Sequence, residues 1–244
     1  MEIVGDEPPT VERIRERRER LEARLRAAAE RGGHDPTRLR IVAVTKTWPV
    51  AVCRAALDAG CRMLGENRVQ EAEPKVVALP EADWHLVGRL QSNKARRAVA
   101  AFGTIHSVDS LELLRRIDGI AHDTGATPEL LLQVNLSGEP TRAGFDEATF
   151  SRGTEPGGAI ASAVEEIGSA HVVGLMTMAE LGADEATARA TFARLRALRD
   201  ALEQSTGIGL AELSMGMTAD AEVATAEGAT MVRIGTALFG PRAG

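Results

Sequence analysis

Arg40-Ile41-Val42-Ala43-Val44-Thr45-Lys46-Thr47 is a short apolar, largely β-branched run that ends on a single amine. Such a run reads as a buried strand, and in α/β folds the C-terminal ends of parallel strands are where ligands are held. A lysine after a strand is ordinarily solvated, so the weight given to Lys46 depends on what surrounds it.

Outward from this run, short apolar segments alternate with helical ones. The candidate strands are 39–44, 61–64, 84–87, 104–108, 130–134, 171–176, 212–214 and 231–234. Helical stretches at 50–59, 111–124, 185–206 and 219–227 stop at Gly60, Gly125, Gly207 and Gly228. Alternation of this kind predicts a parallel sheet, and eight repeats predict an α/β fold closed as a single (β/α)8 TIM-type barrel. A doubly wound open sheet is the structural alternative. Against it, the first strand is followed by Thr45-Lys46-Thr47-Trp48-Pro49 and not by a dinucleotide-type glycine fingerprint.

Ahead of the barrel, Val11, Ile14, Leu21, Leu25 and Ala28 recur at helical spacing and Gly32-Gly33 closes the segment, which predicts an extra N-terminal helix. The chain is thus expected to be one domain over 1–244, with an N-terminal extension and helix at 1–33 and the barrel at 39–240. The cluster Arg13-Ile14-Arg15-Glu16-Arg17-Arg18-Glu19-Arg20 invites an RNA-binding reading, but its interleaved glutamates favour a solvated helix face. The segment Arg152-Gly153-Thr154-Glu155-Pro156-Gly157-Gly158 reads as a mobile surface loop.

The 244 residues are 44% hydrophobic and 26% charged, with a formal charge of −6, enough for one substantial core and offering no general attraction to nucleic acid or anionic membrane. No apolar stretch is long enough to span a bilayer. The start, with Glu2, Asp6 and Glu7, lacks the basic-then-apolar order of a secretory signal, so a soluble cytoplasmic protein is expected. Cys53 and Cys61 indicate neither a disulfide framework nor a metal site, and idle thiols are expected.

The strand ends carry more information than the strand interiors. The second runs into Gly65-Glu66-Asn67, the seventh into Met215-Gly216-Met217-Thr218 and the eighth into Gly235-Thr236. In a barrel the loops after strands seven and eight commonly build a phosphate site, because glycine lets the backbone approach and helix-start amides point at the anion. Thr218 is expected to begin the helix 219–227, and Gly235-Thr236 to open a short final turn. Glycine for turns and threonine as an N-cap would explain either loop alone. Together, a strand-end lysine and a phosphate cradle suit a phosphorylated carbonyl compound: pyridoxal 5′-phosphate held as a Schiff base, or a sugar phosphate as an aldolase substrate. Arg233, at the end of the last strand, helps to choose, since arginine is a known partner of a pyridine nitrogen.

The chain resembles the pyridoxal phosphate homeostasis protein family, which is related to the barrel domain of alanine racemase. The likeness runs from about Leu39 to Gly240. It rests on Ala43-Val44-Thr45-Lys46-Thr47, Gly65-Glu66-Asn67-Arg68-Val69-Gln70-Glu71, the stretch from Trp84-His85-Leu86 to Ser92-Asn93-Lys94, Gly174-Leu175-Met176, Leu213-Ser214-Met215-Gly216-Met217, and Val232-Arg233-Ile234-Gly235-Thr236-Ala237-Leu238-Phe239-Gly240. The resemblance implies that Lys46 carries pyridoxal phosphate as an internal aldimine and that Ser214, Gly216, Thr218, Gly235 and Thr236 surround the phosphate. It also implies that Arg233 faces the pyridine nitrogen and Asn67 lies near the ring. Departures from the family pattern are Thr218 in place of serine, Arg142 in place of lysine, and the segment 152–158. His85 reads as a packed, hydrogen-bonded strand histidine and Glu66 as an ion-pair or hydrogen-bond partner, while Gln91-Ser92-Asn93-Lys94 reads either as a helix start with Lys94 solvated or, as the resemblance implies, as a rim element near the pocket.

The resemblance further implies buffering of the reactive aldehyde, possible binding of related B6 vitamers, and delivery to apo-enzymes in transient contacts, without robust catalysis. A weak racemase-like activity is the enzymatic alternative. Two-base racemisation needs a second proton-transfer group, which alanine racemases supply as tyrosine from a partner's additional domain. This chain has no tyrosine and ends near the expected barrel closure, so a monomeric carrier is expected. An arginine beside the pyridine nitrogen also disfavours ring protonation, because like charges repel. An aldolase is disfavoured by the lysine's place on the first strand, and an RNA-binding module by the charge pattern of the first helix.

Overall fold

The computed structural model describes residues 9–139 and 141–241. The acidic start at Glu2, Asp6 and Glu7, together with Pro140 and residues 242–244, lies outside the described residues.

The strands are β1 (Arg40–Val44), β2 (Met63–Glu66), β3 (Asp83–Leu86), β4 (Thr104–Val108), β5 (Glu129–Asn135), β6 (Phe145–Asp146), β7 (His171–Met176), β8 (Glu212–Met217) and β9 (Met231–Ile234). All pairings are parallel, in the order β4-β3-β2-β1-β9-β8-β7-β5, and β4 also pairs with β5. That last pairing closes eight strands into a barrel and removes the open-sheet alternative. The two-residue β6 pairs with β5 outside the ring and has no counterpart among the sequence expectations. The eight candidate strands are all present. The seventh extends to Met217 and not 214, and the second is displaced to Met63–Glu66.

The surrounding helices are α1 (Val11–Arg31), α2 (Val50–Asp58), α3 (Val69–Ala78), α4 (Ala95–Ala101), α5 (Leu111–Thr124), α6 (Glu147–Gly153), α7 (Ala159–Glu166), α8 (Glu185–Thr206), α9 (Ala221–Ala226) and α10 (Thr236–Phe239). The four glycine stops are all left-handed: Gly125 and Gly207 cap their helices at φ +68, and Gly60 and Gly228 lie just beyond theirs at φ +91 and +95. Helix α3 escapes a periodicity reading because its buried face is Val69, Ala72 and Lys75, with Pro74 inside the helix. A lysine in an apolar position erases the stripe.

Helix α1 buries Ile14, Leu21, Leu25 and Ala28 against α2, α9 and α10, so it lies across the seam between the last and first repeats. Full burial of a side chain such as Leu25 contributes about 1.5–3 kcal/mol. The arginine-rich stretch is not simply a solvated face. Arg15 and Arg18 donate to the Asp58 and Ala59 carbonyls at the end of α2 (3.1 and 3.0 Å), and Arg17 donates to the Leu238 carbonyl in α10 (3.1 Å). Three guanidinium groups thereby satisfy helix-end carbonyls that would otherwise lack partners.

The segment 152–158 also differs from its expectation. Arg152 and Gly153 complete α6, Gly153 and Thr154 are buried, and Thr154 Oγ1 donates back to the Ser151 carbonyl at 2.8 Å. It is a tight connection between two short helices, packed because Phe150 and Ile160 on either side are core residues. Cys53 and Cys61 are free, buried thiols, and burial pushes Cys61 up to about 11. Among the described residues no helix is long and apolar enough to cross a membrane.

Candidate functional site

Strands β8, β9, β1 and β2 are neighbours in the ring, and their C-terminal ends deliver most of the expected residues to one face. Lys46 stands two residues past Val44 and is half-buried, between the fully buried Thr45 and the exposed Thr47. Thr47 has φ +68, the single non-glycine residue among those described with positive φ. For a β-branched side chain this is strained backbone, of the kind that gathers at functional sites. Asn67, half-buried, follows β2 directly. Its carbonyl requires the glycine opposite, since a Cβ on Gly88 would lie 2.3 Å from the Asn67 oxygen.

Gly235 opens α10 beside the end of β1, where even an added Cβ would stand 3.7 Å from the Val44 carbonyl oxygen, and Thr236 is exposed at the first helical position. In β8 the pairing with β9 shifts between Ser214 and Met217, a bulge at the rim. Gly216 sits in it at φ +91, and a Cβ there would come within 2.6 Å of the Ala224 methyl of α9. Glycine is therefore required both by conformation and by the close approach of α9.

Two expected residues have other surroundings. Thr218 does not begin a helix: it is exposed in a turn, α9 starts at Ala221, and Asp220 Oδ1 accepts the Met217 N–H at 2.6 Å. The Asp220 carboxylate holds this turn, where the sequence suggested a threonine cap. Ser214 is fully buried, and its hydroxyl is engaged inside the barrel. Arg233 Nη1 donates to Ser214 Oγ at 2.6 Å, and His106 Nδ1 lies 2.8 Å from the same oxygen.

Arg233 is 5% exposed, and its Nη2 donates to the Thr177 carbonyl at the end of β7 (2.9 Å). Burial lowers its pKa to about 10, against the pull of Asp220 in the other direction, so it remains cationic at neutral pH. No sequence motif singles out His106. It lies in a strand of five buried residues, and a histidine in such a run was the available signal. Burial, then the nearby His85, Arg233 and Arg40, hold His106 well below the ordinary histidine value. It is a neutral ring. His85 is buried and hydrogen-bonded as expected, Nδ1 to His106 Nε2 at 2.8 Å. Its Nε2 is 3.2 Å from Asp83 Oδ2 without hydrogen-bond geometry, so that contact is an ion pair only when the ring is protonated.

Behind the Lys46 turn, Glu66 is fully buried and paired with Lys75 at 2.7 Å, the ion-pair role expected for it. Burial raises the Glu66 carboxyl pKa, with the Lys75 and Thr45 hydrogen bonds opposing. Lys75 is a further residue that the sequence did not reveal.

A cleft of about 1400 Å³ opens on the same face beyond Asn67, over the ends of β2 to β5. Gln91, Ser92 and Lys94 line it, consistent with a rim element, as do Arg68, Asp109 and Arg142. Arg142 makes use of its fork: Nη1 donates to the Met178 and Ala179 carbonyls (3.1 and 2.9 Å) and Nη2 to Glu139 (2.8 Å), joining the loops after β5 and β7. A lysine could not make this planar set.

Fold and site together define a class: the chain matches the family described as alanine racemase, N-terminal domain, over residues 17–243. A pyridoxal phosphate homeostasis protein of Pseudomonas aeruginosa is 42% identical over 226 residues, 91% of this chain and 93% of that protein. One of Synechocystis is 40% identical over 210 residues, 85% of this chain and 93% of that protein. The structure of PipY from Synechococcus elongatus with PLP bound has a TM-score of 0.77 at 43% identity, covering 87% of this chain and 100% of that one. The chain belongs to the pyridoxal phosphate homeostasis protein family.

Proposed function

We propose that this protein binds pyridoxal 5′-phosphate through Lys46 and serves pyridoxal phosphate homeostasis. The residues suit the group. Lys46 supplies an amine that condenses with the aldehyde to a Schiff base, releasing one water and remaining reversible by hydrolysis. Gly216, Thr218, Gly235 and Thr236 supply close-approaching backbone and two exposed hydroxyls for the phosphate. Arg233 meets the pyridine nitrogen and Asn67 flanks the ring. Ser214 serves through Arg233, whose guanidinium it holds.

The observation that carries this reading is the locked Arg233 cation. Its buried guanidinium donates to Ser214 and to the Thr177 carbonyl, so it cannot swing away from the site without stranding a charge. A fixed cation there keeps the pyridine nitrogen unprotonated, and an unprotonated ring is a poor sink for carbanion electrons. Together with the absence of tyrosine, this favours holding and releasing the cofactor over turning over amino acids. The role is then to buffer the reactive aldehyde, accept related B6 vitamers, and supply apo-enzymes in transient encounters.

The test is the absorption spectrum of the purified protein with added pyridoxal phosphate, followed by borohydride reduction and peptide mapping. A violet-region band and a pyridoxyl adduct on Lys46, both absent in Lys46→Ala, are expected. Neither band nor adduct at saturating cofactor would sink the reading.

A further inference from the structure

Both peptide groups that flank Lys46 are held by one ion cluster. On the N-terminal side, the Thr45 carbonyl accepts from Lys75 Nζ at 3.1 Å and Thr45 Oγ1 donates to Glu66 Oε1 at 2.6 Å. On the C-terminal side, the Thr47 N–H donates to Glu71 Oε1. Lys75 Nζ joins the two carboxylates, at 2.7 Å to Glu66 and 3.3 Å to Glu71. The cluster thus holds the chain on both sides of the site, at Thr45 and at Thr47.

Three features argue that this arrangement serves position and not stability alone. A buried ion pair is on average no more stabilising than well-packed apolar residues of the same volume, so Glu66 and Lys75 are not explained by the core. Glu66 Oε2 is buried without a hydrogen-bond partner, a cost that the cluster bears. Thr47 is kept in a left-handed conformation that its side chain disfavours, and such a residue persists only where its surroundings over-determine it. The Glu71 acceptor and the Lys75 contact to Thr45 are those surroundings.

We infer that Glu66, Lys75 and Glu71 form a clamp that positions Lys46, setting the direction in which its side chain leaves the end of β1. The inference rests on the reading of Lys46 as the cofactor-bearing amine. Lys75 is the hub, and Glu71, on the cleft side, is the member that can be altered without stranding a buried charge: its carboxylate side chain is 28% exposed, against 0% for Glu66.

The experiment compares wild type, Glu71→Ala and Glu71→Gln as apo-proteins. Two rates are read at Lys46 by peptide mass spectrometry: capture of pyridoxal phosphate after borohydride trapping, and acetylation by acetic anhydride, a small reagent indifferent to approach direction. Glu71→Ala is expected to slow cofactor capture by about tenfold or more, the order that a small misplacement of a reacting group costs, while acetylation of Lys46 is unchanged. Glu71→Gln, which keeps an acceptor oxygen for the Thr47 N–H, should recover most of the capture rate. Wild-type capture in Glu71→Ala, or a loss that Glu71→Gln does not recover, overturns the clamp while leaving the cofactor reading intact. No capture at Lys46 in the wild type overturns both.

Discussion

Ser214 Oγ accepts from Arg233 Nη1 at 2.6 Å and lies 2.8 Å from His106 Nδ1, so one hydroxyl on β8 joins a cation on β9 to a neutral imidazole on β4. The bond crosses the barrel interior. It makes the Arg233 cation part of the core and engages the serine hydroxyl inside the barrel.

Removing that hydroxyl should therefore cost more than a surface polar change. Ser214→Ala strands one Arg233 donor and the His106 Nδ1, and a hydrogen bond to a charged group is worth about 1.5–3 kcal/mol. Denaturant unfolding should show a loss of that size. A loss below about 0.5 kcal/mol, the range of ordinary surface changes, would mean that the pair is not coupled to the fold.

His106 should make the protein acid-sensitive. Its folded-state pKa is held well below the ordinary value by burial, whereas the unfolded chain takes up a proton near pH 6.5. Above that pH both states are neutral and the group contributes no slope. As pH falls below it, the unfolded state binds a proton that the folded state refuses, and stability drops by about 1.4 kcal/mol per pH unit. Glu66, with its raised pKa, acts with the opposite sign. The difference between wild type and His106→Asn isolates the histidine: between pH 6.5 and 5 the variant's stability should fall less steeply. Equal slopes would show that His106 is protonated in the fold.

Thr47→Gly should separate stability from function. Relief of a left-handed β-branched residue returns about 1–3 kcal/mol, and glycine's extra chain entropy takes back about 0.5–1. A net gain of roughly 1 kcal/mol is expected in a chemical melt, with slower capture of pyridoxal phosphate at Lys46. Destabilisation by the glycine would show that Thr47 is unstrained or makes contacts that matter more.

Gly88→Ala tests the approach of β3 to Asn67. The added methyl would meet the Asn67 carbonyl oxygen at 2.3 Å, and backbone must move. Overpacking of this kind costs about 1–3 kcal/mol, and the displaced Asn67 should shift the absorption maximum of bound pyridoxal phosphate. A variant with wild-type stability and spectrum would place Asn67 away from the ring.

Much of this molecule is written locally. The run ending at Lys46, the alternating apolar segments and the glycine stops depend on neighbours within a few residues, where period and turn chemistry act, and they determined the barrel and the order of its loops. The strand ends carrying Lys46, Asn67, Gly216 and Gly235 were legible for the same reason, because parallel strands place their C-termini on one face. Tertiary structure alone decided the rest. His106 and Ser214 are 108 residues apart, and Arg17 reaches across 221 residues to Leu238. No periodicity reports such a pairing. Lys75 gives no local signal until the fold places Glu66 against it, and the bond of Ser214 to Arg233 exists only once β8 and β9 lie side by side. A polar side chain's role is set by which partner is near enough to offset its desolvation, and that is a property of the closed barrel.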